Sequence, residues 1–303
     1  MRRRLLLLPI TLLGVLLLVF AFLHLVPGDP VEIMLGESAA PADRVALRHV
    51  LGLDRPLPLQ LATFLAGVAH GDLGWSIAYR APVASLVAAR WPATVELAGA
   101  AFAIAVVLAV PAGVLAAVRA GTAIDRAVRL ASLVGVCIPS VWLGPLLILL
   151  FAVRLGWLPV SGRGGVAHLV LPAVTLGLGM AGVLVRLTRN ATLSALRADA
   201  ARTARAKGAP PWRVVLVHAL GTALLPVTTV AGLQAGALLA GAVVTETIFA
   251  WPGLGRLAVQ AIGARDYPLV QGCVLVIAAT YVLVNLATDL LCAWLDPRLR
   301  DAP

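Results

Sequence analysis

Charged side chains are scarce in this sequence. Asp, Glu, Lys and Arg make up 13% of the 303 residues, whereas apolar residues make up 61%. Because about a quarter of the residues in an ordinary soluble domain are charged, so few charges would not cover a surface that faces water. The bilayer must therefore be the solvent for much of the chain. The formal net charge of +10 then describes the loops of a membrane protein, and we expect no nucleic-acid partner.

Cysteine and lysine are also rare, and each absence excludes a class of site. Cys137, Cys273 and Cys292 lie in apolar runs without CxxC spacing, and the five histidines are scattered, so neither a disulfide framework nor a metal site is expected. Lys207 is the only lysine, and Gly208 follows it. The phosphate-binding sequence Gly-x-x-x-x-Gly-Lys-Ser/Thr is therefore missing. We expect no catalytic constellation and no cofactor, and any ATPase that drives this protein must be a separate polypeptide.

Six apolar segments approach the roughly 20 residues that a helix needs to cross a membrane. A cleaved signal peptide is the alternative for the first segment, but signal cores are shorter, about 7–15 residues, and end at a small-x-small site. The sequence therefore predicts an all-α integral membrane protein with six transmembrane helices. They run over about Leu5–Leu25, Thr94–Val118, Leu130–Val153, Leu169–Val185, Leu224–Phe249 and Leu269–Cys292.

The basic residues predict which side of the membrane each loop faces. With the N-terminus in the cytoplasm, 15 of the 24 basic residues fall on cytoplasmic segments, as the positive-inside rule requires. Both termini are therefore predicted inside (N-in/C-in). The chain divides into a first transmembrane helix (1–26), an extracytoplasmic segment (27–93) and a core with five transmembrane helices (94–303). Apolar positions around Leu59–Ala69 and Val83–Ala89 predict short surface helices in the extracytoplasmic segment, which shows no strand signal.

The predicted cytoplasmic loop 190–221 reads NATLSALRADAARTARAKGAPPWRVVLVHALG. Ala, Leu and Arg favour a helix up to Lys207. Gly208 then provides a helix end, and Pro210-Pro211 starts a second helix. The small side chains, with their cationic neighbours, suit close contact with a groove on another protein. A loop that touches only lipid headgroups is the other interpretation, and the residues alone leave both open.

Polar residues within the predicted spans are candidates for a transport pathway, because they are costly there. Glu246 lies near an outer helix end and Asp289 near an inner one, which favours a structural role while leaving a pathway or gate role open. Gln234 and Asn285 lie nearer mid-membrane, where a hydrogen bond between helices is favoured over a conduit. Gly232 and Gly236 form a Gly-x-x-x-Gly pattern that permits tight helix packing.

Short motifs along the whole chain resemble the dipeptide, oligopeptide and nickel permease family of binding-protein-dependent ABC importers. The cytoplasmic loop resembles that family's EAA loop, although Arg202-Thr203-Ala204 replaces the Glu-Ala-Ala of the wider superfamily and Leu220-Gly221 replaces its Leu-Pro. The other motifs that carry the resemblance are His218-Ala219-Leu220, Leu224-Leu225-Pro226, Pro27-Gly28-Asp29-Pro30, Leu51–Pro56, Gly71–Gly74, Trp251–Gly255, Ala264–Pro268 and Asp296-Pro297-Arg298.

This resemblance implies the MetI-like architecture of type I importer permeases in the bacterial inner membrane. It implies three further subunits, namely a second homologous permease and two cytoplasmic ATPases, and an extracytoplasmic solute-binding protein as a partner outside. The implied substrates are short peptides, with nickel chelates and other small solutes as alternatives. The residues that would contact an ATPase are Asp199, Ala200, Arg202, Thr203, Ala204, Arg205, Lys207 and Gly208.

Two other classes of protein remain open on the residues alone. One is an ion-coupled secondary transporter that works without an ATPase and uses Glu246 or Asp289. The other is a membrane scaffold that transports nothing.

Overall fold

The computed structural model of this chain describes residues 2–25, 31, 40–50 and 52–295, and these are almost entirely helical. The predicted motifs Pro27–Pro30 and Asp296–Arg298 lie outside the described residues, as does Leu51. In chain order the elements are α1 (Arg2–Leu25), α2 (Pro41–Val50), α3 (Leu57–Ala69), β1 (Trp75–Ser76), β2 (Ala81–Pro82), α4 (Val83–Val118), α5 (Ala123–Cys137), α6 (Ser140–Leu147), a π-helical segment (Ile148–Arg154), α7 (Val166–Arg197), α8 (Asp199–Ala206), α9 (Pro211–Arg213), a second π-helical segment (Val214–Ala219), α10 (Leu220–Ile248), α11 (Leu254–Gly263) and α12 (Tyr267–Leu295).

Four stretches of the described chain are long and apolar enough to cross a membrane. They are Val83–Val118, Val166–Arg197, Pro211–Ile248 and Tyr267–Trp294, and a fifth span results if α5 and the helix that follows it count as one. The structure therefore confirms a helical membrane protein with four or five candidate spans among the described residues. In α1 the stretch Pro9–Ala21 is a shorter apolar helix, and the count of six remains a prediction.

The third predicted span, Leu130–Val153, is wrong as a continuous helix. The axis bends by 103° between Ala123–Cys137 and Ser140–Arg154. Ile138 adopts extended backbone angles, with φ −80° and ψ 117°, because a residue before proline avoids the α region. Pro139 in turn has no N–H to continue the ladder of helix hydrogen bonds. The chain therefore turns a corner at these two residues.

Segment 27–93, predicted to be extracytoplasmic, differs from its predicted secondary structure in two places. The predicted short helix at Leu59–Ala69 is present as α3, but Val83–Ala89 forms the first turns of the long helix α4 and not a separate surface helix. The chain also contains a small antiparallel hairpin, in which Trp75 pairs with Pro82 and Ser76 with Ala81. Strands of two residues are too short for an alternating pattern to show in the sequence.

The chain divides into two compact units. The first comprises Met1–Ala93 with Pro252–Thr280, and the second comprises Thr94–Trp251 with Tyr281–Pro303. In the first unit the start of α4 packs on α11 and the start of α12, through a buried cluster of Val83, Val87, Leu254, Leu257, Ala258, Ala261, Leu269, Val270 and Cys273.

Buried Asp266 fastens the hairpin of the first unit to the corner before α12. Its Oδ2 accepts hydrogen bonds from Ser76 Oγ at 2.5 Å and from the Ala78 N–H at 2.9 Å. Its Oδ1 accepts one from the Leu269 N–H at 3.2 Å. The Ser76 hydroxyl also accepts a hydrogen bond from the Tyr79 N–H at 3.1 Å. One carboxylate therefore holds two loops that are 190 residues apart in the sequence.

In the second unit, the predicted Gly-x-x-x-Gly pattern of α10 faces α12 closely. A methyl group at Gly232 would overlap the side chain of Thr288, and one at Gly236 would lie 2.8 Å from Tyr281 Cε2 and 3.1 Å from Asn285 Oδ1. Because lipid is as apolar as the helix surface, membrane helices associate largely through such close backbone contacts. The prediction of tight helix packing at these glycines is confirmed.

We predict that Gly232→Ala destabilises the protein, because Thr288 or its whole helix must move to make room for the methyl group. Overpacking of this kind costs about 1–3 kcal/mol. The matched control is Gly221→Ala in the same helix, where a methyl group would meet nothing within 4 Å. The midpoint of thermal unfolding in detergent should fall for Gly232→Ala and stay or rise for Gly221→Ala. Equal midpoints for the two variants would show that this contact is not tight.

Candidate functional site

The predicted cytoplasmic loop folds as a short helix, a turn and a second helix. Helix α7 ends at Arg197, and Ala198 has extended backbone angles that redirect the chain into α8. Asp199 lies in the first turn of α8, where a negative charge suits the positive end of the helix dipole. It forms an ion pair with Arg202 at 3.3 Å, but both side chains are exposed, so this pair adds little stability.

The end of α8 is fixed by a Schellman motif built around Gly208. The Ala209 N–H donates to the Ala204 carbonyl at 3.1 Å, and the Gly208 N–H donates to the Arg205 carbonyl at 2.9 Å. Gly208 has φ +80°, in the left-handed region that costs other L-residues about 1–2 kcal/mol. The predicted helix end at Gly208 is therefore present, and the motif sets the direction in which the chain leaves α8.

The inner face of α8 is buried against the rest of the hairpin. Ala201 and Ala204 are 1% and 8% exposed and form a small apolar cluster with Val214. Leu196 and Ala209 pack against this cluster. An isolated helix of eight residues is unstable in water, so this cluster, together with a hydrogen bond from the Arg205 guanidinium to the Leu196 carbonyl, holds α8 in place.

Burial corrects one residue of the predicted contact surface. Ala204 does not face outward, because it packs inside the hairpin and only a small side chain fits there. The seven other predicted residues are exposed: Asp199, Ala200, Arg202, Thr203, Arg205, Lys207 and Gly208.

Three of the exposed residues share one face of α8. Ala200, Thr203 and Lys207 follow at the i, i+3, i+7 spacing of neighbours on a helix, and Arg202 flanks them. We call these four residues the outer surface of α8. It is small in the middle, with Arg202 and Lys207 at its edges, and all four residues are exposed, although Arg202 pairs with exposed Asp199. Such a surface suits close approach of an acidic groove on another protein.

The carboxylates predicted as pathway or gate residues lie elsewhere in the second unit. Glu246 is fully buried near the end of α10 and accepts a hydrogen bond from Thr94 Oγ1 at 2.6 Å. Asp289 is half-buried in α12 and also has an interaction partner. The structure therefore does not bring these two residues to the outer surface of α8. The hydrogen bond from Thr94 gives Glu246 a role in holding α4 to α10.

The amides predicted near mid-membrane are both half-buried. Gln234 lies in α10, and Asn285 lies in α12 beside Gly236. The Oδ1 atom of Asn285 is buried and has no hydrogen-bond partner among the described residues. For this atom the expected hydrogen bond between helices is not present, and the two helices meet through glycine instead. Within the described residues, no group of three or more His, Cys, Asp or Glu side chains could hold a metal ion.

Sequence reasoning missed a buried ion pair between α5 and α7. Arg189 donates from Nε to Asp125 Oδ1 at 2.6 Å and from Nη2 to Oδ2 at 2.8 Å. The two residues are 64 positions apart, and each carries a charge that the sequence alone places in a polar loop. Only the packing of α5 against α7 shows that these two side chains meet.

We predict that Gly208→Ala loosens α8 through backbone strain alone, since a methyl group there would meet nothing within 4 Å. A cost of about 1–2 kcal/mol corresponds to roughly 5- to 30-fold faster local opening. Amide hydrogen exchange of residues 199–209, measured by mass spectrometry, should speed up accordingly.

The matched control is Gly208→Asn, because asparagine adopts the left-handed conformation more readily than alanine. Exchange rates should therefore rank wild type below Gly208→Asn and Gly208→Asn below Gly208→Ala. Unchanged exchange in Gly208→Ala would mean that the left-handed turn does not hold α8.

Comparison with known families gives matches over almost the whole chain. Residues 109–301 match the family described as binding-protein-dependent transport system inner membrane component. Residues 1–98 match the family described as the N-terminal part of such a membrane component. One match ends and the other begins within α4, with residues 99–108 between them.

Several transport permeases align with this chain over nearly their full length. A di/tripeptide transport system permease protein, DppB, of Pseudomonas aeruginosa (strain UCBPP-PA14) is 45% identical over 327 residues, covering 98% of this chain and 97% of that protein. The dipeptide transport system permease protein DppB of Escherichia coli (strain K12) is 44% identical, with the same coverage. A glutathione transport system permease protein, GsiC, of Pectobacterium atrosepticum is 43% identical, again with the same coverage.

A solved structure shares the fold. A chain of the methionine ABC transporter MetNI, in an inward-facing conformation, superimposes with a TM-score of 0.56 and 24% identity, covering 70% of this chain and 96% of that chain. The apolar helices and the family matches place this protein in the bacterial inner membrane, which it crosses several times. The chain belongs to the family of inner membrane components of binding-protein-dependent transport systems, and it is a permease subunit of an ABC importer.

Proposed function

We propose that this permease carries short peptides into the cell. The observation that supports this substrate class is the 44–45% identity, over nearly the full length, to permeases of dipeptide and di/tripeptide systems. The permease of a glutathione system is almost as similar, and glutathione is itself a small peptide. Nickel chelates, the alternative from the sequence, have no such support.

The proposed topology has six transmembrane helices with both ends in the cytoplasm. It counts α1 as the first span and the bent pair at Ala123–Arg154 as one broken span, next to the four continuous spans. The orientation is supported by charge, since 15 of the 24 basic residues fall on the predicted cytoplasmic segments. Trp212 and Trp294 are largely exposed at helix ends, as tryptophans at the level of the lipid headgroups are.

Membership in this family implies an ATPase and a solute-binding protein as partners. The finer proposal is a complex in which this chain pairs with a second homologous permease and two ATPases bind the cytoplasmic side. We propose the outer surface of α8 as the contact for one ATPase. Its support is geometric, because the surface is exposed and cationic and the buried cluster beneath it ties it to α7 and to the π-helical segment at Val214–Ala219.

This arrangement suggests how ATP binding would drive transport. An ATPase that presses on α8 would also displace α7 and the helix that continues into α10, because α8 cannot move separately from its buried cluster. The permease would then change from an inward-open to an outward-open state and accept substrate from the binding protein. ATP can shift this equilibrium only to the extent that the ATP-bound ATPases stabilise one state more than the other.

The ion-coupled alternative lacks a specific observation in its favour. Its best candidate, Glu246, is fully buried and already hydrogen-bonded to Thr94, so it is not exposed in this state to exchange an ion with water. The family match also describes a system that depends on a binding protein, a component that an ion-coupled transporter does not need.

We predict that Thr203→Glu weakens ATPase binding. The substitution adds a larger, negatively charged side chain at the centre of the outer surface of α8, where an acidic groove is expected to dock. The matched control is Ser194→Glu, which makes the same kind of change at another exposed hydroxyl residue near the end of α7. The measurement is the amount of ATPase that co-purifies with the permease in mild detergent.

The ATPase retained by Thr203→Glu should fall by about tenfold, which corresponds to about 1.4 kcal/mol of binding free energy, while Ser194→Glu retains the wild-type amount. In cells, uptake of a radiolabelled alanyl dipeptide should fall in parallel, and nickel uptake should not depend on this chain. Equal ATPase retention by the two variants would contradict the contact at α8. Nickel uptake that depends on the chain, without dipeptide uptake, would contradict the peptide substrate.

A further inference from the structure

Asp125 and Arg189 form a buried ion pair in the second unit that is reinforced by several further bonds. The Asp125 side chain is 1% exposed and the Arg189 side chain 14%. Besides the two hydrogen bonds from Arg189, Asp125 Oδ2 accepts one from the Gly121 N–H at 2.9 Å. Arg129 lies one helical turn further on, with Nε 3.3 Å from Oδ1. Planar guanidinium and carboxylate groups joined in this bidentate way fix both distance and orientation.

The ion pair ties three elements together. Gly121 belongs to the turn between α4 and α5, Asp125 to the first turn of α5, and Arg189 to the last third of α7. The Arg189 guanidinium also donates from Nη1 to Asn190 Oδ1 at 3.0 Å, which further limits its rotation. The α4–α5 turn is therefore attached to α7 at one defined point.

Close backbone contacts surround this point. A methyl group at Gly113 of α4 would lie 2.6 Å from Thr188 Cβ and 3.0 Å from the backbone nitrogen of Arg189. Earlier in α7, Gly182 approaches the Ser132 carbonyl of α5 so closely that a methyl group there would overlap it. Helices α4 and α5 thus both touch α7 through close backbone contacts near the ion pair. Packed elements of this kind shift as units and do not deform continuously.

The same helix that carries Arg189 leads to the outer surface of α8. Helix α7 continues without a break from Arg189 to Arg197, and α8 follows after Ala198. Two helical turns separate the ion pair from the end of α7, a distance of about 12 Å at 1.5 Å per residue. A displacement of α8 therefore reaches Arg189 first and α5 through Asp125.

We propose that Asp125 is a positioning residue of the transport cycle. Its carboxylate makes α5 move with α7, so that a push on α8 displaces the helices beside α7 as one body. This proposal rests on the proposed function of α8 as the ATPase contact. It goes beyond that function because it assigns the transfer of movement to one specific pair of side chains outside the surface of α8.

The test uses the complete transporter in proteoliposomes, with ATPases, partner permease and binding protein. Spin labels are attached at Arg126→Cys, near the start of α5, and at Arg197→Cys, at the end of α7. Both positions are exposed, and Cys137 and Cys292 are replaced by serine beforehand, whereas Cys273 is buried. Electron paramagnetic resonance then measures the distance between the labels, without nucleotide and with ATP trapped by vanadate.

In the otherwise wild-type protein, the distance between the labels should be the same in both states, since α5 follows α7. Asp125→Asn removes the charge while keeping the shape, and Arg189→Lys keeps the charge while losing the bidentate geometry. In both variants the distance should change on ATP trapping. The number of alanyl dipeptides carried per ATP hydrolysed should fall by about fivefold or more, the lower end of typical coupling between sites.

The control is Glu96→Gln, which breaks another charged pair of the second unit, in which Arg163 donates from Nε to Glu96 Oε2 at 2.9 Å. It should leave both the label distance and the ratio of peptide to ATP unchanged. A purely structural role for Asp125 would lower the amount of assembled transporter but not this ratio, and that result would overturn the proposal.

The outcome also separates this proposal from the one on which it rests. A wild-type transporter that retains its ATPase but shows a changed label distance on ATP trapping would overturn the role of Asp125 alone. A wild-type permease that binds no ATPase would overturn the proposed function of α8, and the role of Asp125 with it.

Discussion

The absence of hydrogen-bonding partners in the bilayer is the constraint on which this structure depends. Backbone polar groups inside the hydrocarbon must be satisfied by the protein itself, and a buried charge is costly unless it is paired and hydrogen-bonded. The described residues show this at three carboxylates, each close to a helix end: Asp125 at the start of α5, Glu246 at the end of α10 and Asp266 before α12. Each accepts at least one hydrogen bond from another part of its own unit. Polar bonding thus determines how the helices are joined at their ends.

Between their ends the helices meet through small residues. Lipid gives little reason for apolar helices to associate, so backbone approach has to supply the contact energy. Gly113, Gly182 and Gly232 each lie where a methyl group would overlap or crowd the neighbouring helix. Large apolar side chains are also exposed on these helices, as Leu and Val residues along α4 and α10 show. Small residues therefore lie at the helix contacts, while part of the large apolar surface faces outward.

Much of this fold could be predicted from the sequence, because the signals were local. Apolar length located the spans, and Gly208 with Pro210-Pro211 located the turn after α8. The corner at Ile138-Pro139 also had a local signal, which the apolar length of the segment concealed. The two-residue strands had no pattern long enough to detect.

Contacts between distant residues could not be predicted. Asp125 and Arg189 are 64 positions apart, and Ser76 and Asp266 are 190 apart, so nothing in the neighbourhood of one points to the other. Ala204 was misplaced for a different reason. Helix α8 has alanine on both faces, so its composition does not distinguish the buried side from the exposed one, and only the packing of Val214 and Ala209 settles the direction.

In the proposed transport cycle, α8 is the place where another protein acts on this permease. Photo-crosslinking from a benzoyl-phenylalanine at position 203, in the membranes of cells that make the complete transporter, tests this most directly. Thr203 lies on the outer surface of α8, and Ser194, exposed near the end of α7, serves as the comparison position. We expect a crosslink to an ATPase subunit from position 203 and none from position 194. Crosslinks from position 203 to lipid alone, with no ATPase captured, would rule out the proposed contact at α8.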